Sequence, residues 1–455
     1  MKIIIVGCGK VGRTLAEELN KDDNEVTVID RSYAVVEELS NQFDVMGVAG
    51  NGASYKTQME AGIEKADLLI AVTASDELNL LCCLIAKRAG NCQTIARVRN
   101  PEYSAEIDFV KETLGLAMTI NPEFAVAQEI AKVLRFPSAI KIDSFGKGRV
   151  EMLKFRVPPE SNLSDMLVMS IAPKLKADVL VCAVERGGNI FIPKGDFRLH
   201  EKDVVSILAD AKKASDFFKK IGIETHQVKD TMIVGGGDTS YYLAKLLLPM
   251  GIDVKLVERD ERRCDVLSEL LPKAQIIHAD GAEQSVLIEE GVAQAEAFVA
   301  LTNIDEENVM LSLFARSQGK GKVATKINRM DFDQIIRELD LDTTVYPKKI
   351  TAQHILQFVR GKKNSIGCNV ETMYRILDDK AEALEFIVKQ DSELSGIPLE
   401  ELQIKENTIV ACIIRGRNII IPRGKDTMRV GDSVVIVTTT LGLKDIRDVI
   451  HVRKQ

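Results

Sequence analysis

The feature that most constrains the fold of this 455-residue chain is an internal repeat with a period of half its length. Gly7 returns 228 residues later as Gly235, and Thr73 returns 229 residues later as Thr302. These two offsets also join Gly9 with Gly237, Asp30 with Glu258, Asp76 with Asp305, Asn79 with Asn308, Arg97 with Lys326 and Asp203 with Asp432. The run 189–195 matches the run 418–424 in the same way. Such a chain is expected to fold as two similar halves.

Each half changes its pattern once. In the first half, short β-branched runs alternate with helical stretches, which predicts βαβ units and a parallel sheet. The predicted strands are 3–6, 25–29, 44–48, 68–72 and 94–98. Beyond about residue 135, strands separated by turn residues predict a small β module, in which Ser161 or Asn162 caps a short helix before Met166.

We therefore predict an α/β protein with two Rossmann-like, doubly wound parallel-sheet domains, each followed by a small β-rich α+β domain. The predicted domains are 1–135, 136–225, 226–365 and 366–455.

Composition narrows the function further. The chain has 60 basic and 67 acidic side chains, a net charge of -7 and a pI of about 5.6. This balance argues against a dedicated nucleic-acid surface. The longest apolar runs, 66–74 and 78–86, fall well short of the roughly 20 residues that a membrane helix needs. The eight cysteines lack CxxC spacing, so we expect no metal site and expect Cys82 and Cys83 to pack in a helix core.

A glycine-rich loop follows the first predicted strand and opens an amphipathic helix. It has the sequence Gly7-Cys8-Gly9-Lys10-Val11-Gly12. In this context the first glycine permits a tight turn, the second lets a pyrophosphate approach the backbone, and the third lets helix and sheet pack closely. The N-terminus of the helix then supplies N–H groups to the phosphates. The pattern predicts a nucleotide site, whereas the alternative interpretation is a strand-to-helix turn alone.

The residue that ends the second predicted strand is acidic. Asp30 can accept hydrogen bonds from both ribose hydroxyls of an adenosine, and its charge would repel a 2′-phosphate. The sequence thus favours NAD(H) over NADP(H), although Asp30 could instead only cap a helix.

Other candidate contacts lie at the ends of the third, fourth and fifth strands, where open α/β sheets bind ligands. Asn51 could bind an adenine edge, and Thr73 with Ala74 could line the phosphate or ribose. Arg97 is costly to place within a sheet without an anionic partner. A ligand phosphate would be such a partner, and a carboxylate elsewhere would serve equally. For Asn51, Thr73 and Ala74 the alternative is ordinary loop chemistry.

The second copy of the loop differs from the first. It reads Gly235-Gly236-Gly237-Asp238-Thr239-Ser240. Ser240 replaces the third glycine, and Asp238 puts a negative charge where Lys10 stands in the first copy. Glu258 remains available for a ribose. The second site is therefore expected to bind weakly, to bind a less charged ligand or to be vestigial.

A dehydrogenase is the usual interpretation of such a loop. It would need an acid or base near the nicotinamide, often histidine, and a substrate domain. The five histidines are His200, His226, His278, His354 and His451, and none of them recurs between the repeats. We therefore expect no catalytic residues and prefer a nucleotide sensor, with an NAD-dependent oxidoreductase as the alternative. A purely structural assembly protein remains a third possibility.

These residues together carry a resemblance over the whole chain. The sequence resembles the TrkA family of peripheral subunits of Trk potassium-uptake systems, with tandem units known as regulators of conductance of potassium (RCK). The resemblance rests on the loop 7–12, Asp30, the stretches 47–52 and 73–79, Arg97-Val98, and the turns 190–195 and 419–424.

The resemblance implies a cytoplasmic protein that is peripheral on the inner face of the cell membrane. It implies a homotetramer with eight RCK units beneath a membrane potassium-translocating subunit of the TrkH or TrkG type. NAD(H), ATP or ADP would bias the ion flux, and no nucleic acid would be involved. The implied ligand contacts are 7–11, Asp30, Asn51, Thr73, Ala74 and Arg97, followed by 235–239 and Glu258 in the second copy.

Overall fold

A computed structural model describes residues 1–450 except 102, 104–105, 146–148, 160, 211–212, 224–225, 330–332, 340, 365–369, 377–379, 390–393, 441 and 444. The chain divides into two compact units. One consists of residues 1–131 and 229–356, and the other of residues 132–228 and 357–455. Each unit thus combines corresponding parts of the two halves. The domain boundaries predicted at residues 225 and 365 fall outside the described residues.

The first sheet has six parallel strands in the order β3-β2-β1-β4-β5-β6. They are β1 Lys2–Val6, β2 Glu25–Asp30, β3 Met46–Ala49, β4 Leu68–Ala71, β5 Gln93–Arg97 and β6 Met118–Ile120. The central strands are almost wholly buried because helices cover both faces of the sheet, as in parallel sheets generally. The strand order reverses between β1 and β4, and ligands of such sheets bind at that point. The sequence did not predict β6, which has only three residues.

Six α-helices are described in the first Rossmann-like part of the chain. They are α1 Lys10–Lys21, α2 Tyr33–Gln42, α3 Tyr55–Glu60, α4 Asp76–Ala89, α5 Ile107–Leu114 and α6 Pro122–Arg135. In α1, Leu15, Ala16 and Leu19 form the buried face, at the spacing of an amphipathic helix. Cys82 and Cys83 of α4 are fully buried, which confirms their predicted packing role.

The first small module is an antiparallel sheet in the order β10-β9-β11-β8-β7. Its strands are β7 Lys141–Phe145, β8 Val150–Arg156, β9 Val179–Arg186, β10 Asn189–Phe191 and β11 Val204–Asp210. Helices α7 (Val168–Leu175) and α8 (Ala214–Lys220) accompany it. The predicted cap at Ser161 or Asn162 is wrong, because α7 begins only after Leu167. The Ser161 hydroxyl instead donates to the Ile221 carbonyl, at 3.2 Å.

The second half repeats both sheets. Its parallel strands are β12 Asp230–Val234, β13 Asp253–Glu258, β14 Gln275–His278, β15 Ala297–Ala300, β16 Lys322–Lys326 and β17 Thr343–Val345. They lie in the order β14-β13-β12-β15-β16-β17, the topology of the first sheet. The helices are α9 Asp238–Leu247, α10 Glu261–Leu270, α11 Gln284–Glu289, α12 Asp305–Gln318, α13 Asp333–Glu338 and α14 Pro347–Asn364.

The second small module has the topology of the first, in the order β18-β19-β22-β20-β21. Its strands are β18 Val370–Ile376, β19 Ala381–Ile387, β20 Thr408–Arg415, β21 Asn418–Ile420 and β22 Ser433–Thr438. The predicted fold class, two Rossmann-like parallel sheets each followed by a small β-rich domain, is confirmed.

An arginine–aspartate pair recurs in both small modules. The Arg186 guanidinium donates to both carboxylate oxygens of Asp203, at 2.7 Å each, and the His200 N–H donates at 2.8 Å. Arg415 and Asp432 repeat the pair, at 2.9 and 2.8 Å. Burial acts to raise the pKa of Asp203, but the Arg186 guanidinium and the His200 N–H together hold it below its usual value.

We expect Asp203→Asn to lower the free energy of unfolding at pH 7 by about 2 kcal/mol, because hydrogen bonds to a buried carboxylate are lost. A carboxyl with a depressed pKa stabilises the fold above its unfolded-state pKa, and this contribution disappears as the pH falls through the folded-state pKa. The difference between wild type and variant should therefore shrink below about pH 4. Urea unfolding of the full chain at several pH values measures this difference in the free energy of unfolding.

The matched control is Asp165→Asn, since the Asp165 side chain is 73% exposed and its carboxylate lies 3.1 Å from the His200 ring nitrogen. Asp165→Asn should lower the free energy of unfolding by less than about 0.5 kcal/mol. A wild-type-minus-Asp203→Asn difference that stays constant from pH 7 to pH 3 would show that the pair does not titrate as expected.

Candidate functional site

The predicted glycine loop joins β1 to α1. Gly7 has φ of 97°, and a Cβ there would lie 2.9 Å from the Thr73 nitrogen, so glycine is required. A Cβ on Gly12 would lie 1.8 Å from the Gly7 carbonyl oxygen. A Cβ on Gly9, in contrast, meets nothing within 4 Å. The loop thus has a tight turn, a close helix contact and, between them, an open position where a ligand can reach the backbone.

The beginning of α1 adds positive potential to this open position. Gly9 is the N-cap residue and no side chain caps the helix, so the N–H groups of the first turn are available to an anion. Lys10 is exposed and Val11 half-buried. Cys8 is buried, and burial raises the pKa of its thiol to about 12. Its contribution to the loop therefore comes from the backbone, not from a thiolate.

Asp30 lies beside the glycine loop. Its carboxylate accepts hydrogen bonds from the Cys8 N–H at 2.7 Å and from the Ser32 N–H at 3.0 Å. The Gly50 N–H donates to the Asp30 carbonyl at 2.8 Å, which brings the end of β3 close. The next residue, Asn51, is exposed and accepts from the Ala53 N–H at 3.2 Å. The structure thus places Asp30 and Asn51 at the same edge of the sheet.

The end of β4 is organised by Asn79, which sequence reasoning did not assign to the site. Both the N–H and the hydroxyl of Thr73 donate to the Asn79 side-chain oxygen, at 2.8 and 2.7 Å. The Asn79 amide donates in turn to the Arg97 carbonyl at 2.9 Å. Asn79 is fully buried in α4, so it fixes the ends of β4 and β5 together. The recurrence of Asn79 as Asn308 in the second half was the sequence signal that could have assigned it to the site.

Arg97 has a carboxylate partner within the chain. Its guanidinium donates to the Thr73 carbonyl at 3.4 Å and lies 3.7 Å from Glu123 in the first turn of α6. Burial lowers the pKa of Arg97 and raises that of Glu123. One nitrogen of Arg97 and one oxygen of Glu123 are buried without a hydrogen-bond partner among the described residues. Of the two partners that the sequence left open, the structure thus supplies a carboxylate.

The second repeat builds the same framework. Gly235 has φ of 98°, and the Glu258 carboxylate accepts from the Gly236 N–H and, at 2.8 Å, from the Asp260 N–H. Thr302 donates twice to Asn308, at 2.8 Å each. In the place of Arg97, the buried Lys326 ammonium donates to the Leu301 carbonyl at 3.2 Å, and burial lowers its pKa.

The two loops differ in two contacts. The Ser240 hydroxyl donates to the Gly235 carbonyl, so the third glycine of the motif is replaced by a hydrogen-bonded side chain. Arg263 of α10 donates to the Gly236 carbonyl at 2.6 Å and to the Asp238 carboxylate at 3.0 Å. The negative charge of Asp238 is therefore neutralised within the protein. Gly237 and Thr239 complete the loop, and a Cβ on Gly237 meets nothing within 4 Å.

All predicted site residues of each repeat thus lie at the carboxyl edge of their own parallel sheet. Within the described ranges there is no group of three or more His, Cys, Asp or Glu side chains that could hold a metal ion. Seven of the cysteines are buried and form no disulfide, while Cys368 lies outside the described residues. Among the helices described, none is both long enough and apolar enough to cross a membrane.

Two domain families each match the chain twice, and known proteins align with it almost end to end. The TrkA-N domain family matches residues 3–122 and 231–347, and the TrkA-C domain family matches residues 152–222 and 383–451. Trk system potassium uptake protein TrkA homolog 1 of Methanosarcina mazei is 30% identical over 98% of this chain and 99% of its own length. Trk system potassium uptake protein TrkA of Haemophilus influenzae is 31% identical over 96% of this chain and 95% of its own length.

Solved structures agree on the architecture. The GsuK channel bound to NAD has a TM-score of 0.63 at 16% identity, over 96% of this chain and 77% of that one. The RCK domain of GsuK gives the same score and identity over 92% of its length. At this identity the likeness shows the fold alone. The TrkA-N matches span more than half of the chain, and relatives at least 30% identical align almost end to end, so the chain belongs to the TrkA family.

Proposed function

We propose that the chain is a nucleotide-binding regulatory subunit of a potassium transport system. The observation that carries the proposal is the first glycine loop, where an uncapped helix N-terminus, an open position at Gly9 and the Asp30 carboxylate lie together. This arrangement suits a pyrophosphate and a ribose. Relatives named as Trk system potassium uptake proteins supply the physiological setting.

In the proposed complex each element of the first site has a separate task. The N–H groups of residues 9–12 bind the pyrophosphate, with the Lys10 ammonium adding positive charge. Asp30 already accepts two backbone N–H groups, and its remaining lone pairs accept the ribose hydroxyls. Asn51 binds the adenine edge, while Thr73 and Ala74 line the phosphate side. The proposed ligands are NAD(H) and ATP or ADP, which all contain an adenine, a ribose and linked phosphates.

The second site keeps the framework and changes its charge. The proposed contacts there are Gly235, Gly236, Gly237, Asp238, Thr239 and Glu258. A phosphate entering this loop competes with Asp238 for the Arg263 guanidinium, because the two groups now pair at 3.0 Å. We therefore expect weaker binding at the second site than at the first.

The proposal extends to partners and location. The protein would act as a homotetramer with eight RCK units, arranged from the four domains 1–135, 136–225, 226–365 and 366–455. It would lie at the cytoplasmic face of the membrane, bound to a potassium-translocating subunit of the TrkH or TrkG type. Ligands that prefer one arrangement of the paired domains would then shift the flux through that subunit.

The experiment is potassium flux into vesicles that contain a TrkH-type subunit, with this protein added and with NADH, ATP or ADP varied. We expect nucleotide to change the flux, and Asp30→Ala to require about tenfold more nucleotide for the same change, since charge-assisted hydrogen bonds to the ribose are lost. Glu258→Ala is the matched variant in the second repeat and should shift the response less.

Two results would contradict the proposal. Flux that is insensitive to all three nucleotides, with this protein bound to the transporter, would leave a structural assembly protein as the better interpretation. Steady consumption of NADH in the presence of a small metabolite would favour the alternative, an NAD-dependent oxidoreductase.

A further inference from the structure

A tyrosine joins the two Rossmann-like parts of the first compact unit. The Tyr242 hydroxyl of α9 donates to the Arg99 carbonyl at 3.1 Å and accepts from the Asn121 side-chain amide at 3.0 Å. The Phe124 ring meets the Tyr242 ring edge to face, with the ring centres 5.4 Å apart. Tyr242 is only 5% exposed. We call Arg99, Asn121, Phe124 and Tyr242 the tyrosine clamp.

At one end, the clamp is connected to the candidate ligand contacts of the first repeat. The Arg99 N–H donates to the Asp76 carboxylate at 2.8 Å, and the Arg99 guanidinium donates to the Ala74 carbonyl. The Arg97 carbonyl accepts from Asn79, which also holds Thr73. A ligand that orders the Thr73–Ala74 loop therefore also orders the segment that carries the Arg99 carbonyl.

At the other end, the clamp reaches the second glycine loop. Tyr242 lies in the second turn of α9, which begins at Asp238 directly after Gly237. The hydroxyl of Ser240, two residues before Tyr242 in the same helix, donates to the Gly235 carbonyl. Because a helical turn moves as a rigid piece, a displacement of Tyr242 is passed to the loop 235–237.

Charged groups of both repeats lie at the same junction. The Glu123 carboxylate, next to Phe124, lies 3.7 Å from Arg97 and also interacts electrostatically with Lys326 and Asp238 of the second repeat. One buried oxygen of Glu123 and one buried nitrogen of Arg97 lack hydrogen-bond partners in the described part of the chain. Buried charges that are incompletely paired gain most from a change in their surroundings.

The equivalent position in the first repeat does not carry a tyrosine. The residue 228 positions before Tyr242 is Thr14, whose hydroxyl donates to the Lys10 carbonyl of its own helix at 3.1 Å. Thr14 is too short to span the junction as the phenol does. The repeats therefore differ at the position from which the Tyr242 hydroxyl reaches Arg99 and Asn121.

We propose that Tyr242 is a positioning residue that couples the two nucleotide sites, so that a nucleotide bound in the first repeat orders the start of α9 and the second glycine loop. This coupling rests on the proposed function, since it requires nucleotide in the first site.

The test is hydrogen exchange of the full chain with and without NADH or ADP, followed in the peptide that covers 238–245. The nucleotide concentration is set to fill most of the first sites and few of the weaker second sites. We expect nucleotide to slow exchange in α9 about fivefold in the wild type, the factor that one net hydrogen bond provides. Tyr242→Phe keeps the ring contact with Phe124 but removes the hydroxyl, and it should abolish this slowing. By reciprocity it should weaken nucleotide binding by no more than the same factor.

Two controls separate the causes. Tyr241→Phe removes the neighbouring hydroxyl, which accepts from Lys245 at 3.4 Å and lies outside the clamp, and it should leave the slowing intact. Asp30→Ala weakens the first site about tenfold and so leaves it mostly empty at this concentration, and nucleotide should then slow exchange in α9 much less than in the wild type. A merely structural Tyr242 would change exchange equally with and without nucleotide, so the ligand-dependent difference is the decisive quantity.

Each failure has its own signature. If calorimetry finds no nucleotide binding to the wild type, the proposed function fails and the coupling fails with it. Nucleotide binding that leaves exchange in α9 unchanged overturns the coupling alone, as does slowing that persists in Tyr242→Phe. Slowing that is undiminished in Asp30→Ala at the same nucleotide concentration would mean direct binding at the second loop, and it would also overturn the coupling.

Discussion

Gly9→Ala should lower the affinity for NADH and ATP about a hundredfold and leave the stability of the protein nearly unchanged. A methyl group at this position occupies the place where we expect the pyrophosphate, and forcing one methyl into a filled site costs up to about 3 kcal/mol. Without ligand the methyl is harmless, because Gly9 has φ of -65° and ψ of -168° and its Cβ meets nothing within 4 Å.

Two small effects on stability should offset each other in this variant. Alanine is a poorer N-cap residue than glycine by a few tenths of a kcal/mol or more. It also restricts the unfolded chain, which stabilises the fold by about 0.4–1 kcal/mol. Calorimetric titration gives the affinity, and urea unfolding gives the stability.

Gly237→Ala is the matched control in the second repeat. Gly237 has nearly the same backbone conformation, with φ of -67° and ψ of -179°, and its Cβ position is equally open. If the first site binds more tightly, Gly237→Ala should leave nucleotide binding at the first site intact and remove only the weaker binding at the second site. A Gly9→Ala protein that binds both nucleotides as the wild type does would show that no ligand approaches this loop.

Much of the fold could be predicted from local sequence patterns. The first five strands were predicted to within two residues because β-branched runs such as Ile3–Val6 stand between turn residues. The glycine loop and Asp30 were predicted to lie together because strand, loop, helix and acid follow one another over 24 residues from Gly7 to Asp30. The repeat supplied the second half by comparison. The strand β6 was missed because three residues are too few to show a period.

The contacts that set the charge of the sites could not be predicted. Asp238 appeared to oppose a phosphate, yet Arg263 neutralises it from a different helix, 25 residues further along the chain. Glu123 meets Arg97 from α6, and Tyr242 meets Arg99 across 143 residues of sequence. Tertiary packing brings such partners together. Neither the hydrophobic periodicity nor the spacing of motifs predicts which residues will meet in this way.

The last glycine of the loop shows how strongly the backbone itself restricts the choice of residue. A Cβ on Gly12 would lie 1.8 Å from the Gly7 oxygen and 3.0 Å from the Gly7 carbonyl carbon. Both atoms belong to the backbone, so no rotamer change can relieve the clash. In the second repeat Ser240 carries a Cβ at the equivalent position and is fully buried. The start of α9 must therefore be set slightly differently against its glycine loop than the start of α1.

We expect Gly12→Ala to lower the free energy of unfolding by at least about 3 kcal/mol, the upper end of the range for overpacking, and to abolish tight nucleotide binding by displacing the loop. Gly12→Ser should be no better, because the clash involves Cβ and not the rest of the side chain. Ser240→Gly, in contrast, should cost only about 1–2 kcal/mol, from the propensity difference within a helix and the lost hydrogen bond to the Gly235 carbonyl. Urea unfolding compares the three variants. If Gly12→Ala were as stable as Ser240→Gly, the α1 backbone would have to yield freely, and close helix packing could not be the reason for a glycine at this position.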